Sequence, residues 1–394
     1  MTMIGPAPLV GEISKSLGLS LGETTAMTMM IVMIMSFISS VLSGFVVDRI
    51  GFVLTWIISL SILIVAGILM KYLSFTIGGL ILVRILQGMG MGPINAVISS
   101  VCAKWFKYNE RTYIAAIQGF SVWLGIALGL VYTPTMFKIF GDWHTALSMS
   151  AAPPVIAIIF AVIILLGPKP PVQTVTISIE ENQKDFKFAW ATSAMYILCL
   201  MAVLDTWYQQ AFNDMAPGFY SVAAPVGLGL GPLGAGIKLT WAGYASMAGG
   251  LVGPFLIERY FKGEPRVPLF IACMLSAMLV LCIRFLSADS GMILVLLPCC
   301  ILFFSSWVNP TIFGYIAKHY PDGIVGRLGG TATGMASLGA VLGLAAGSTA
   351  LHLTGFYNVS MAILAVVILT AGISAGFLKR PGIKAGAEYV IKPE

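Results

Sequence analysis

The sequence has few charged residues and few groups that could serve as metal ligands. Asp, Glu, Lys and Arg together make up 10% of its 394 residues, whereas soluble domains carry about 25%. There are three histidines and six cysteines, and none of them has the spacing of a zinc site. The net charge is +6, but the basic residues are scattered and form no basic run. We therefore expect no metal, no cofactor and no nucleic-acid partner.

Long apolar stretches dominate the chain. Hydrophobic residues make up 58% of it, and the mean hydropathy is +0.94. Eleven stretches reach the length of about 20 residues that crosses a bilayer, and lipid forces such spans into helices because it offers the backbone no hydrogen-bond partners. The sequence therefore predicts an all-α polytopic membrane protein with spans at 24–47, 53–73, 76–102, 111–136, 146–167, 188–213, 236–257, 267–287, 290–316, 327–352 and 356–378.

The basic residues are distributed unevenly among the predicted loops. Sixteen lie in one alternating set of connections that includes the C-terminal tail, and five lie in the other set. Cytoplasmic loops are enriched in Lys and Arg, so the first set is predicted to be cytoplasmic. We expect a multi-pass protein of a prokaryotic cytoplasmic (inner) membrane with a cytoplasmic C-terminus.

A weak internal repeat divides the chain into two parts. Pro6 and Pro217 are 211 residues apart, and the segments LGLS at 17–20 and LGLG at 228–231 share that spacing. Repeats of six helices are a known transporter architecture. We predict an N-terminal helix bundle, a cytoplasmic linker, a C-terminal helix bundle and a cytoplasmic tail, at residues 1–167, 168–187, 188–378 and 379–394.

The repeat also bears on the start of the chain. A whole predicted helix precedes Pro217, whereas five residues precede Pro6. By internal symmetry we expect the first helix of the first half to be missing or truncated. Met1 is then predicted to be an internal methionine or a late start, followed by a loop into the next helix.

Three motifs in the first half are typical of one family. GFVVDRIG begins at Gly44 in a tight loop, RILQGMGMG begins at Arg84 inside a span, and GFSVWLGIALG begins at Gly119. Together they resemble the major facilitator superfamily of secondary transporters. The resemblance implies two six-helix pseudo-repeats around a central cavity, here with 11 transmembrane helices. It also implies alternating access and no enzymatic activity.

The resemblance further implies a gate on the cytoplasmic side. In the family the acidic residue of the first motif faces the start of helix 11, here near 327–333, and holds the two halves together. A second acid-base pair occupies the corresponding loop of the second half. An ordinary cytoplasmic turn is the alternative. The gating candidates are Gly44, Asp48, Arg49, Gly51, Glu258 and Arg259.

Several polar residues within spans are candidates for substrate binding or proton coupling. Arg84, with Gln87 on the same helical face, could bind an anion or modulate a carboxylate that carries protons, since a charge in a span usually faces a cavity or a partner. Asp205, Tyr208 and Gln209 share one face of helix 7. Asp205 is a candidate proton carrier or cation-binding group, or else a hydrated residue near the outer end of its span.

Helices 8 and 10 add weaker candidates. Lys238, with Trp241 one turn along, could attract anions, or could be an interfacial lysine that snorkels to the membrane surface. Asn309 precedes Pro310, which loosens a helix, so this position could be a gate, a binding feature or a kink.

These residues favour a secondary active transporter for a small solute, most of all an organic anion such as a carboxylate. A proton or counter-substrate would drive it. The alternatives are a transporter of neutral or amphipathic solutes, and a truncated membrane protein that transports nothing. A membrane enzyme is disfavoured because acids, His or Ser–Lys pairs do not cluster at one depth. We expect a monomer in the lipid bilayer.

Overall fold

The computed structural model describes residues 1–105, 108–167, 186–320 and 322–378. Side chains near positions 41–49, 95–119 and 317–327 are described only in part. Within these ranges the secondary structure is entirely helical, so the predicted all-α fold is confirmed.

The first half begins with a 3-10 turn, Ala7–Leu9, and a short helix α1, Val10–Leu17. Helix α2 runs through Leu21–Thr25, a π-helical stretch Ala26–Met30, and Ile31–Ile50. The remaining helices are α3 (Phe52–Leu73), α4 (Ile77–Trp105), α5 (Tyr108–Phe140) and α6 (Trp143–Leu166).

In the described part of the second half, a short helical stretch at 186–191 precedes six longer helices. They are α7 (Ser193–Ser221), α8 (Gly231–Tyr260), α9 (Arg266–Phe285), α10 (Ile293–Ser305 and Val308–His319), α11 (Asp322–Thr354) and α12 (Tyr357–Gly376). Helix α10 is interrupted at Ser306 and Trp307, one turn before Pro310, because a proline ring clashes with the carbonyl four residues earlier.

Nine helical stretches in the described part of the chain are long and apolar enough to cross a membrane. Helices α7 and α8, with 29 and 30 residues, are also long enough. They are less apolar because α7 carries buried polar residues and α8 is rich in glycine. The eleven predicted spans therefore each correspond to a helix, and the chain is an integral multi-pass membrane protein.

Two predicted boundaries are wrong. The span predicted to end at 213 continues to Ser221 with Pro217 inside the helix, which a membrane helix tolerates because neighbouring helices satisfy the freed backbone groups. The predicted loop after Pro6 contains helix α1. That helix ends at Leu17. The next residue, Gly18, has φ of 67°, a left-handed conformation that glycine adopts without strain.

Close helix contacts build the first half. A Cβ on Gly88 would lie 2.6 Å from the carbonyl oxygen of Val32, and a Cβ on Gly92 would lie 2.3 Å from that of Ser36. The glycines of the RILQGMGMG motif thus allow α4 to pack against the backbone of α2. They do not form a nucleotide-binding loop.

Among the described residues the two halves meet mainly along two helix pairs, α5 with α8 and α2 with α11, and the 3-10 turn Ala7–Leu9 also lies against α7 and α8. In the first pair the Thr240 hydroxyl donates to the Ala127 carbonyl at 3.1 Å. In the second pair the start of α2 lies against the end of α11. The contacts between α2 and α11 lie beside the turn at residues 18–20. We call the side of the membrane on which this turn lies the predicted outer face. The proposed linker at 168–187 falls mostly outside the described residues, so the domain boundaries stay a prediction.

Candidate functional site

The side chain of Arg84 is buried in the first half and is 1% exposed. Its Nε donates to the Thr28 carbonyl, in the π-helical stretch of α2, and its NH1 group donates to Oε1 of Gln87. Longer bonds run from the guanidinium to the carbonyls of Thr2 at 3.3 Å and Met3 at 3.4 Å. The structure thus brings Arg84 and Gln87 together, and the protein's own acceptors surround the guanidinium.

A second polar cluster joins α7 to α10. Asp205 is fully buried, and both of its oxygens accept from Nε2 of Gln209, at 3.0 and 3.1 Å. The Asn309 side chain is also close enough to act on the Asp205 carboxyl. Three predicted site residues therefore lie in one cluster, with Asn309 brought in by the interruption of α10.

The sequence left open whether Asp205 lies inside the bundle or is a hydrated residue near the outer end of its span. It is the thirteenth residue of α7, which runs to Ser221, so it lies near the middle of the helix. At about 1.5 Å per residue, it is about 24 Å from the helix end at the predicted outer face. The alternative of a hydrated residue near that face is wrong.

Asp214 is a buried carboxyl that the sequence analysis did not include. It is 4% exposed, and its Oδ2 has no hydrogen-bond partner. The charge of Arg84 acts on it. Asp214 is seven residues from the outer end of α7 and Arg84 is seven residues from that of α4, so both lie about 10 Å below the predicted outer face.

Tyr357, at the start of α12, also belongs to this region. Its ring packs on that of Phe219 with centroids 5.8 Å apart, and its buried hydroxyl has no partner. The Asp214 charge acts on Tyr357 as well. Asp214 was missed because the predicted span ended at residue 213. The signal available in the sequence was Arg84 itself, which needs a buried counter-charge.

Two predicted site residues lie elsewhere. The Tyr208 hydroxyl is 2.8 Å from the Ser276 hydroxyl of α9, so this ring belongs to the core of the second half. Trp241 is 56% exposed, on one stripe of α8 with exposed Ile237, Leu251 and Phe255. Such a stripe is typical of a lipid-facing surface, and the half-buried Lys238 lies beside it. The structure therefore does not bring Trp241 to the buried polar groups.

The gating candidates lie at the predicted inner face. The side chains of Gly44, Asp48, Arg49 and Arg327 are outside the described part of the structure, so the proposed contact with α11 stays a prediction. Gly51 forms the turn before α3 with φ of 82°. In the second half Glu258 pairs with Lys318 of α10 at 3.2 Å. This is a contact within one half, and Arg259 is exposed.

Comparison with known proteins places this arrangement in a family. A family model described as Major Facilitator Superfamily matches residues 1–204. An uncharacterized protein of Campylobacter jejuni, Cj0987c, is 27% identical over 143 residues. That match covers 36% of this chain and 44% of the relative's length, so the chain matches less than half of that protein.

Two crystal structures show the same fold. The D-xylose-proton symporter has a TM-score of 0.75 at 15% identity, and a mutant of the nucleoside transporter NupG has 0.71 at 16%. In both comparisons the similarity covers 96% of this chain and 96% of the other. The family and these structures are those of transport proteins rather than enzymes. Because the family model covers more than half of its length, the chain belongs to the Major Facilitator Superfamily.

Proposed function

We propose that the protein is a proton-coupled secondary transporter that moves a small organic anion by alternating access. The observation that carries this proposal is a set of buried charges on helices of both halves. Arg84, Asp205 and Asp214 are the Asp, Glu, Lys and Arg side chains that are buried among the described residues. They come from α4 and α7, which lie in different halves.

Charge balance connects this set to protons. Isolated charges in a low-dielectric interior cost several kcal/mol each, so buried charges tend to be neutralised. One guanidinium and two carboxylates carry a net charge of −1, and one bound proton makes the set neutral. An anion entering this region adds another negative charge, which a second proton offsets. Anion uptake would thus be accompanied by proton uptake.

The contacts of Arg84 indicate where the anion would bind. The guanidinium has five N–H groups, and its bonds to the Thr2 and Met3 carbonyls, at 3.3 and 3.4 Å, are long for N–H···O bonds. A carboxylate makes stronger, charge-assisted bonds with guanidinium. It could replace these two carbonyls without disturbing the bond to Thr28.

A neutral polar solute is the second candidate, and a specific observation favours it. The cluster of Asp205, Gln209 and Asn309 offers amide and carboxyl groups that suit hydroxyl-bearing solutes. The two similar structures are those of a nucleoside transporter and a D-xylose-proton symporter. A membrane protein that transports nothing is the third possibility.

A ligand-binding experiment on the purified protein separates these candidates. Thermal stabilisation is measured with a panel of carboxylic acids, sugars and nucleosides, in the wild type and in Arg84→Gln. We expect one or more carboxylates to stabilise the wild type and to lose this effect at least about tenfold in Arg84→Gln. Stabilisation by a sugar or nucleoside alone would favour the neutral solute. A carboxylate effect that survives the substitution would contradict the anion site.

The orientation and the inner gate are parts of the same proposal. The uneven distribution of basic residues supports a cytoplasmic C-terminus in a prokaryotic inner membrane, and the motif from Gly44 to Gly51 supports a gate at the inner face. A membrane-impermeant thiol reagent applied to intact cells tests the orientation with a cysteine at Lys392. Labelling without permeabilisation would contradict it.

A further inference from the structure

A groove on the surface of the first half lies between the outer end of α3 and the start of α6. It has a volume of about 320 Å³, which falls within the range of about 300–1,000 Å³ that is typical of ligand sites. Its α3 wall runs from Ile64 to Tyr72, and its α6 wall runs from Ser148 to Val155. Each wall therefore extends about 10 Å along its helix.

The sequence of α6 explains why the groove forms. Pro153 lacks the N–H that would bond to the Met149 carbonyl one turn earlier, and the helix passes through a 3-10 stretch there. The Tyr132 hydroxyl of α5 donates to the Met149 carbonyl instead, at 3.0 Å. Ala151 and Ala152, which follow, have small side chains and leave the α6 side of the groove open.

The two helices touch behind the groove. A Cβ on Gly67 would lie 2.6 Å from the Cβ of Ala151, so α3 and α6 pack closely at this level. The adjacent Ile68 is exposed, as is Val155 on the opposite wall. The groove is therefore closed on the protein side and presents apolar side chains on its open side.

The depth of the groove matches one leaflet of the bilayer. Lys71 lies in the last turn of α3, at the predicted outer face. At about 1.5 Å per residue, Ile68 and Ile64 lie about 4.5 and 10 Å closer to the middle of the membrane. Half of the hydrocarbon core is about 15 Å thick. The apolar lining therefore faces the acyl chains of the outer leaflet, with Lys71 at the level of the headgroups.

Lys71 carries a charge that the described part of the chain does not neutralise. Its side chain is exposed and forms no ion pair with a described residue. The acids Glu12 and Asp142 of the same face lie near Lys15 and His144 instead. A lysine at the end of a span extends its ammonium group to the headgroup region, where phosphate is the available acceptor.

Charge complementarity selects the class of lipid. The phosphate of phosphatidylcholine or phosphatidylethanolamine is balanced by the amine of its own headgroup. The phosphate of an anionic lipid such as phosphatidylglycerol has no such partner. Its negative charge balances that of Lys71, and the ammonium group donates charge-assisted hydrogen bonds to it.

We infer that the groove between α3 and α6 binds one anionic phospholipid of the outer leaflet. The phosphate lies on Lys71, and one acyl chain lies along Ile68, Ala152 and Val155. This site is on the lipid-facing side of the first half, so it does not depend on the proposed transport function.

Lipid titration of the full-length protein tests the site. Native mass spectrometry follows the binding of phosphatidylglycerol and of phosphatidylcholine with the same acyl chains. We expect the wild type to bind one phosphatidylglycerol about fivefold more tightly than phosphatidylcholine, because one lysine near an anionic lipid contributes about that factor. Lys71→Gln should lower the affinity for phosphatidylglycerol to that for phosphatidylcholine.

A second variant tests the apolar part of the site. Ala152→Trp places an indole ring in the groove and should abolish the tight binding of phosphatidylglycerol while Lys71 is intact. This variant also keeps the inference testable if Lys71→Gln fails to fold.

Two matched controls lie outside the groove. Lys138 is an exposed lysine in the last turn of α5 at the same face, and Lys138→Gln should bind phosphatidylglycerol within about twofold of the wild type. Ile163 is an exposed residue further along α6, and Ile163→Trp should also bind it like the wild type.

Three results would overturn the site. The first is equal affinity of the wild type for the two lipids, and the second is a loss in Lys138→Gln as large as that in Lys71→Gln. The third is a dimer of the wild type that Ala152→Trp dissociates, because a second copy of the chain would then occupy the groove instead of a lipid.

Discussion

Removal of the Arg84 guanidinium should destabilise the protein, and removal of Asp214 with it should restore part of the loss. Both side chains are buried, and they lie in different halves at similar depth. The guanidinium of Arg84 and the carboxylate of Asp214 form no ion pair within 4.0 Å, so they are farther apart than that. Their interaction is therefore one between separated charges.

The size of the effect follows from the surroundings. For scale, any two unit charges about 6 Å apart attract by about 3 kcal/mol at an effective dielectric constant of about 20. Breaking a buried charge pair by removing one partner costs about 3–5 kcal/mol, because the other charge stays buried. We therefore expect Arg84→Gln to lower the free energy of unfolding by about 3–5 kcal/mol, including the lost bond to Thr28.

The double variant Arg84→Gln/Asp214→Asn tests whether the two charges interact. If they do, the double variant should be about 2–3 kcal/mol more stable than the sum of the single effects predicts, since interacting residues are non-additive by up to about 3 kcal/mol. The measurement is reversible unfolding of the four proteins in mixed micelles. Strict additivity within about 0.5 kcal/mol would refute a charge interaction between the halves.

Three further predictions concern single side chains. Asp205→Asn should reduce solute accumulation driven by a pH gradient at least about tenfold while solute exchange persists, because an amide cannot release a proton; loss of both activities would indicate a structural role instead. Lys238→Gln should leave the thermal stabilisation by carboxylates within about twofold of the wild type, because Lys238 lies beside the lipid-facing stripe of α8. A tenfold loss of that stabilisation would show that Lys238 takes part in binding. Asp142→Ala should destabilise the start of α6 by about 1 kcal/mol at pH 7, measured by thermal unfolding, and this loss should shrink as the pH falls below about 4. Burial opposes ionisation of Asp142, but hydrogen bonds from Thr145 and His144 outweigh it and hold the pKa of its carboxyl below the usual value, so its stabilising effect is present above the unfolded pKa and lost as the pH falls through the folded one; a loss that grows as the pH falls below about 4 would contradict this.

Much of the architecture could be predicted from hydropathy. Apolar length identifies a membrane helix almost independently of its neighbours, since lipid demands that each span satisfy its own backbone. The errors occur where polar residues or proline interrupt the pattern. The apolar pattern predicts an end at 213, before Pro217, but packing against other helices keeps α7 intact to Ser221.

The site was predictable only in part, because side-chain direction depends on tertiary packing. Asp205 and Gln209 share a helix face by spacing alone, and the structure brings them together. Tyr208 lies one residue away on the same arc, yet its hydroxyl contacts Ser276 in the neighbouring helix. The charge interaction of Arg84 with Asp214 joins positions 130 residues apart, and spacing along one helix cannot indicate it.

The most direct test of the central proposal is carboxylate uptake by vesicles containing the purified protein, with the outside more acidic than the inside. We predict that a carboxylate identified by thermal stabilisation accumulates above its external concentration, and that a protonophore abolishes this accumulation. Uptake that stops at equal concentrations with or without the pH gradient, or accumulation that a protonophore leaves unchanged, would contradict proton-coupled transport.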